Sequence, residues 1–142
     1  MTLIKDKFAV AFMKVAETFA DLSSAKRAQV GAIIVKDNRI ISIGYNGMPS
    51  GWDNECEQLG RTKPEVLHAE TNAIAKVAQS SESCKDATLF CTHMPCIECA
   101  KIIHQAGIKD VYYKIAYDSA KGSGLEFMQK SNIRLTKMET SV

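Results

Sequence analysis

The sequence predicts one α/β domain in which a five-stranded mixed β-sheet, opening with a hairpin, lies between layers of helices. Three observations carry that expectation. The chain of 142 residues, 46% apolar and 24% charged, can close one hydrophobic core and has little left for a second. Its apolar residues repeat first at helical spacing, then in two β-branched runs across a turn, and thereafter alternate between helical and strand-like segments. Turn residues punctuate these segments, and no internal repeat, low-complexity tract or linker divides them.

From Leu3 to Asp21, the residues Ile4, Phe8, Ala11, Phe12, Val15 and Phe19 recur at threes and fours, which predicts an amphipathic helix. The polar stretch SSAKRAQ leads to a strand over Val30 to Val35, and Arg39 to Gly44 makes a second, joined to the first across KDN as a hairpin. Tyr45 to Leu67, with Asn46-Gly47, Pro49-Ser50-Gly51 and Gly60, reads as a loop. A loop this long in a compact domain is usually functional. His68 to Ala78 is alanine-rich and helical, and Thr88 to Thr92 (TLFCT) is a short buried strand. Pro95 suits a first helical turn, so Cys96 to Gln105 is the next helix, stopped by Gly107. Asp110 to Ala116 is a strand, Ser123 to Lys130 a last helix and Ile133 to Thr136 a last strand. This alternation calls for right-handed crossovers.

Charge and cysteine usage narrow the function classes. Eighteen basic against sixteen acidic residues leave a net charge of +2. No lysine or arginine block, and no interleaving of basic and aromatic residues, marks a nucleic-acid surface. A small anionic substrate is compatible with that balance. No apolar run approaches the roughly 20 residues that span a bilayer, and the N-terminal segment has charges inside its apolar stretch and no small-residue cleavage site. The expectation is a soluble, cytoplasmic protein without membrane or nucleic-acid partners. Five cysteines (Cys56, Cys84, Cys91, Cys96, Cys99) are an odd number. That excludes a fully paired disulfide framework and leaves reduced thiols or metal thiolates.

Two short segments carry the chemistry: His68-Ala69-Glu70 at one predicted helix start and Pro95-Cys96-Ile97-Glu98-Cys99 at another. Cysteines three apart on a first helical turn project to one side, and the helix dipole favours their thiolate form. A catalytic zinc takes three protein ligands and keeps a fourth position for water. His68, Cys96 and Cys99 make such a set. Glu70 stands beside it as a carboxylate able to carry a proton from water to a ring nitrogen and then to a departing amine. HxE followed by PCxxC is the signature of zinc nucleobase deaminases, so hydrolytic deamination with one zinc per subunit is the expectation. A redox CxxC pair would not call for HxE upstream. Cys91, in an apolar strand, reads as a small hydrophobe, and Cys56 as an exposed loop thiol. These two and Cys84 are expected to tolerate serine or alanine. His93 reads as structural and His104 as an ordinary helix-surface residue.

At this point QVGAIIVKDN, ISIGYNGMPSG, LHAETNAI and HMPCIECAKIIHQAGIKDVYY together resemble the deoxycytidylate (dCMP) deaminase family, a branch of the zinc-dependent cytidine deaminase superfamily, over roughly Ser23 to Ser119. The resemblance implies a cytidine deaminase-like three-layer α-β-α fold and the reaction of dCMP with water to give dUMP and ammonia. It implies zinc on His68, Cys96 and Cys99, Glu70 as proton shuttle, Asn46 at the sugar and base, and the Ala69 backbone at the pyrimidine edge. It also implies homohexamers activated by dCTP and inhibited by dTTP, with Mg²⁺ beside the triphosphate. Gly47, Met48 and Asp53 are the candidate regulatory residues, close to the GYNG segment.

For the 5′-phosphate, arginine's planar fork suits the oxygens, and Arg27 holds the arginine position three before the VG of the family pattern, with Ser23 or Ser24 nearby. Lys121 is a second phosphate candidate and Tyr117 a cover for the base. Some members bind a second, structural zinc through further cysteines and histidines before HxE; here Cys56 is the sole candidate in that segment. A nucleic-acid or tRNA base deaminase would need a basic surface, and a free-nucleoside cytidine deaminase commonly places cysteine where His68 stands. An inactive zinc fold serving as a binding module would have no need of Glu70.

Overall fold

The computed structural model describes residues 4–116 and 122–139. Helix α1 (Asp6–Ala20) is followed by the hairpin β1 (Gly31–Lys36) and β2 (Arg39–Tyr45). After a small two-stranded ribbon, β3 (Glu57–Gln58) and β4 (Arg61–Thr62), come α2 (Ala69–Ala78), β5 (Thr88–His93), α3 (Ile97–Gln105), β6 (Asp110–Ile115), α4 (Gly124–Lys130) and β7 (Arg134–Lys137). Apart from α1, each predicted helix and strand lies within one residue of its expected bounds. Among the described residues no helix is long and apolar enough to cross a membrane.

Five strands form one sheet in the order β2-β1-β5-β6-β7. β1 is antiparallel to both neighbours, whereas β5, β6 and β7 run parallel. The hairpin turns on Asp37 and Asn38, both at positive φ (51° and 59°), the backbone that a two-residue turn matched to strand twist requires. Leu89, Phe90 and Cys91 at the centre of β5 are fully buried because helices cover both faces of the sheet, which explains their unbroken apolar run. On one face α1 packs Ala9, Met13 and Ala16 against Ile33, Val35 and Phe90. On the other, α2, α3 and α4 bury Ala73, Val77, Ala100, Ile103 and Met128 against Ile34, Leu89 and Val111. The result is the expected three-layer α-β-α sandwich.

Two expectations are corrected. The buried stripe of α1 is Ala9, Met13, Ala16 and Ala20, while Phe8 and Ala11 are exposed and Phe12, Val15 and Phe19 only flank the seam. The cause is close approach: a Cβ on Gly31 would sit 2.0 Å from the Ala16 carbonyl oxygen. Small residues must therefore face the sheet, with the large apolar ones splayed to either side. The second correction lies in the long loop, where β3 and β4 pair across Leu59 and Gly60, both at positive φ. Two-residue strands carry no periodicity that a sequence reading could detect.

Helix α2 is pressed equally hard onto β2. A Cβ on Gly44 would meet the Ala69 carbonyl oxygen at 2.4 Å and the Ala73 nitrogen at 2.7 Å. Ser42 Oγ donates to the Ala73 carbonyl (2.7 Å), Lys76 Nζ to the Ile43 carbonyl (2.9 Å) and Asn72 Nδ2 to the Tyr45 carbonyl (3.2 Å). Gly44→Ala is accordingly expected to destabilise the fold by about 1–3 kcal/mol in urea denaturation. Gly47→Ala, where a Cβ would meet nothing within 4 Å, is expected to stay within about 0.5 kcal/mol of the parent.

Candidate active site

Both helix starts that carry the chemistry are built by chain punctuation. His68 is the N-cap of α2 and Cys96 the N-cap of α3, each with extended backbone and neither capped by its own side chain. Their side chains are thus left for other duty. Pro95 precedes Cys96, and its carbonyl oxygen lies so close to the start of α4 that a Cβ on Gly124 would come within 2.1 Å of it. The Met94 N–H donates to the Ile115 carbonyl (2.8 Å), tying the same turn to β6. Cys99 then falls one turn into α3, fully buried and facing α2.

The three predicted ligands meet. His68 Nδ1 is 3.2 Å from Cys99 Sγ and 3.7 Å from Cys96 Sγ, and all three atoms lie within 4.8 Å of one another. Tetrahedral zinc with ordinary Zn–S and Zn–N bonds sets a nitrogen–sulfur separation of about 3.6 Å. Two sulfurs converging on one ring nitrogen exceed what that nitrogen can satisfy by hydrogen bonding, so a metal suits the donor set better. Electrostatics agree. The hydrogen bond from Cys99, supported by His68, draws the Cys96 thiol down to about 3, a thiolate at neutral pH. Cys99, which gives that hydrogen bond from a buried position, is pushed far upward.

Glu70, on the first turn of α2, is 4% exposed. Burial raises its carboxyl above the ordinary range, opposed by its own backbone N–H and by the neighbouring His68. Cys91, in β5, is fully buried, and burial together with the Glu70 charge raises its thiol well above its usual value.

A cavity of about 250 Å³ opens in front of these groups and also takes in Arg27, Asn46, Ala69 and His93. Asn46 braces its wall: Oδ1 accepts from the Val30 N–H (2.9 Å), Nδ2 donates to the Ala28 carbonyl (2.8 Å), and its own carbonyl accepts from Ser23 Oγ (2.7 Å). A primary amide can make four hydrogen bonds, so half of its side-chain capacity remains for a ligand. Arg27 stands at the rim. The Glu57 carboxylate accepts from the Lys26 N–H (2.9 Å) and the Arg27 N–H (3.3 Å), which gives the small β3–β4 ribbon its purpose. Of the two serine candidates, Ser24 is exposed and Ser23 buried, and neither lines the cavity. Tyr117 and Lys121 lie outside the described residues.

Gly47, Met48 and Asp53 do not line the cavity either. Gly47 pairs with Leu67 through hydrogen bonds of 3.1 and 2.8 Å, which closes the long loop at its base. Asp53 accepts from the Glu55 N–H (2.9 Å) and sits 3.6 Å from Lys63, contacts that hold its carboxyl below the usual range. Cys56, expected to be exposed, is only 1% exposed, and its carbonyl accepts from the Lys63 N–H (2.8 Å) just beyond the ribbon. His104 is exposed on α3, edge-on to Phe127. A larger groove of about 1160 Å³, bordered by Lys36, Thr88, Asp110 and Arg134, opens at the other end of the sheet and holds none of the candidate residues. His93, Glu57 and Thr62 are the residues sequence reasoning missed. A histidine ending the strand that runs into PCxxC was the one available signal.

These thiols should be separable by reactivity. In chelator-treated protein, alkylation is expected first at Cys96, with zinc protecting it, and Cys91 is expected to react only after unfolding. Mass mapping of the labelled peptides checks both, and labelling of Cys91 in the folded protein would contradict its placement.

Comparison with known proteins accords with this geometry. Residues 6–115 match the family described as the cytidine and deoxycytidylate deaminase zinc-binding region. The chain is 44% identical to human deoxycytidylate deaminase over 111 residues, 72% of this chain and 61% of that protein. It is 40% identical to ComE operon protein 2 of Bacillus subtilis over 110 residues, 75% of this chain and 58% of that protein. It therefore spans about three-fifths of the length of these curated relatives. The crystal structure of dCMP deaminase from the cyanophage S-TIM5 in complex with dCMP and dUMP superposes with a TM-score of 0.91 at 46% identity, covering 96% of this chain and 100% of that one. With the HxE and PCxxC residues gathered at one cavity on the expected sandwich, the chain belongs to the cytidine and deoxycytidylate deaminase family.

Proposed function

We propose that this protein hydrolyses dCMP to dUMP and ammonia, using zinc on His68, Cys96 and Cys99 and proton transfer by Glu70. The observation that carries the reading is the convergence of those three ligand atoms beside a buried carboxylate, at a cavity that also holds Asn46 and Arg27. The relative crystallised with dCMP and dUMP supports the choice of nucleotide.

Zinc in a His-Cys-Cys set with one open position supplies Lewis-acid activation of water near neutral pH. The chain's own residues do the rest. Glu70, two residues after His68 and shielded from bulk water, takes a proton on a carboxylate oxygen, passes it to the pyrimidine ring nitrogen N3 and carries a second to the departing amine. Burial that raises its affinity for protons suits an acid–base group that must both accept and return one. The Ala69 backbone, at the positive end of α2, meets the pyrimidine edge. Asn46 offers its unused amide valences to sugar and base, and Arg27 neutralises the 5′-phosphate from the rim, with Tyr117 and Lys121 as further base and phosphate contacts. Nothing in the charge balance favours a nucleic-acid substrate.

Regulation belongs to the same proposal: activation by dCTP, inhibition by dTTP, Mg²⁺ with the bound triphosphate, homohexameric assembly and a cytoplasmic setting. The segment from Gly47 through Met48 to Asp53 is the candidate effector region, since it adjoins Asn46 and is closed by the Gly47–Leu67 bridge. A loop so joined to a substrate residue can bias it between arrangements.

Zinc-loaded protein is expected to release ammonia from dCMP in preference to deoxycytidine, CMP or cytosine in single-stranded DNA. Glu70→Gln is expected to lose activity by roughly 10²–10⁴-fold with its zinc content unchanged. Full turnover in Glu70→Gln would refute the mechanism, and activity on the polymer alone would refute the substrate. A flat response to dCTP and dTTP would end the regulatory part.

A further inference from the structure

His93, the last residue of β5, lines the same cavity as Glu70 and Asn46 and has a partner that decides where its proton sits. Thr92 Oγ1 lies 3.0 Å from His93 Nδ1 and accepts the Gly31 N–H at 3.2 Å. Thr92 is 5% exposed, so its one hydroxyl hydrogen must find an acceptor inside the protein. Were Nδ1 to donate to Oγ1, that hydrogen would be left without one among the contacts Thr92 makes, at a cost of about 1–3 kcal/mol. The hydroxyl therefore donates to Nδ1, and the imidazole carries its hydrogen on Nε2. Burial lowers the imidazole's affinity for a second proton, which favours this neutral form.

With Nδ1 turned to Thr92, the Nε2–H edge is the one left for the cavity. His93 and Met94 are continuous with Cys96, which brings this wall to the reacting end of the cavity, whereas Arg27 belongs to the separate segment that Glu57 holds at the rim. We propose that His93 is a substrate-contacting residue, a neutral imidazole locked by Thr92 so that its Nε2–H donates to the pyrimidine part of the bound nucleotide. This deepens the deamination reading above and rests on it. The contact holds the base and moves no proton, since a ring fixed in one neutral tautomer has no second proton to give.

In zinc-loaded protein, His93→Ala is expected to lower kcat/KM about tenfold, the worth of one hydrogen bond. The loss should fall chiefly on KM and by the same factor for dCMP and deoxycytidine, with Arg27→Ala as the contrast that affects dCMP alone. His93→Gln, whose amide N–H can take the place of Nε2–H, is expected to recover most of the loss. Nitrogen-15 spectra of histidine-labelled protein at neutral pH are expected to show His93 as the neutral Nε2–H tautomer, with its Nε2 signal moving when dUMP is added. An Nδ1–H tautomer, unchanged kinetics in His93→Ala, equal loss in the alanine and glutamine variants, or loss confined to dCMP overturns the proposal. If the parent protein fails to turn over dCMP, the deamination reading fails by itself, and the tautomer with its response to nucleotide still decides the role of His93.

Discussion

The contact on which the rest of this molecule depends is the seam between β2 and α2, where Gly44 lets helix backbone lie directly on strand backbone. The seam sets the height of α2 above the sheet, and thereby the positions of His68 and Glu70 at its first turn. Three side-chain hydrogen bonds, from Ser42, Asn72 and Lys76, tie the same two elements along their length. A metal ligand set tolerates errors of only a few tenths of an ångström. Rigid backbone packing supplies that tolerance better than a loop would.

A second constraint is electrostatic. Two helices direct their N-termini toward the ligand cluster, and each N-cap gives its side chain to that cluster rather than to its own helix. The orphan N–H groups of those first turns form a positive surround that favours a thiolate at Cys96. Glu70 answers the opposite pressure. It is buried deeply enough to hold a proton more readily than a surface glutamate, yet it stays close to His68 and the Cys91 thiol.

Most of the architecture was legible because it rests on local chemistry. Asp37-Asn38 can adopt the left-handed backbone of a tight hairpin, Pro95 suits a helix start, and β-branched runs suit strands covered on both faces. The zinc ligands and Glu70 were legible because their chemistry demands particular residue types at short spacing. The seam of α1 was misread because hydrophobicity alone does not reveal that Gly31 admits a helix too closely for aromatic side chains. Cys56 and His93 were misjudged, and Glu57 was missed, for a related reason. Burial of a loop cysteine, a carboxylate reaching across the chain to the Lys26 and Arg27 amides, and a histidine turned by its neighbour's hydroxyl are tertiary facts without sequence period.

The brace formed by Asn46 also bears on chemical ageing. Asn-Gly is the dipeptide in which the following backbone nitrogen most readily attacks the side-chain amide, expelling ammonia through a cyclic imide. Here the Gly47 N–H is engaged by the Leu67 carbonyl at 3.1 Å, while the Asn46 amide is held by Ala28 and Val30. Attack would have to break both sets of bonds and swing the amide off the cavity wall. The folded chain thus shelters its Asn46–Gly47 peptide for as long as the Gly47–Leu67 bridge stays closed.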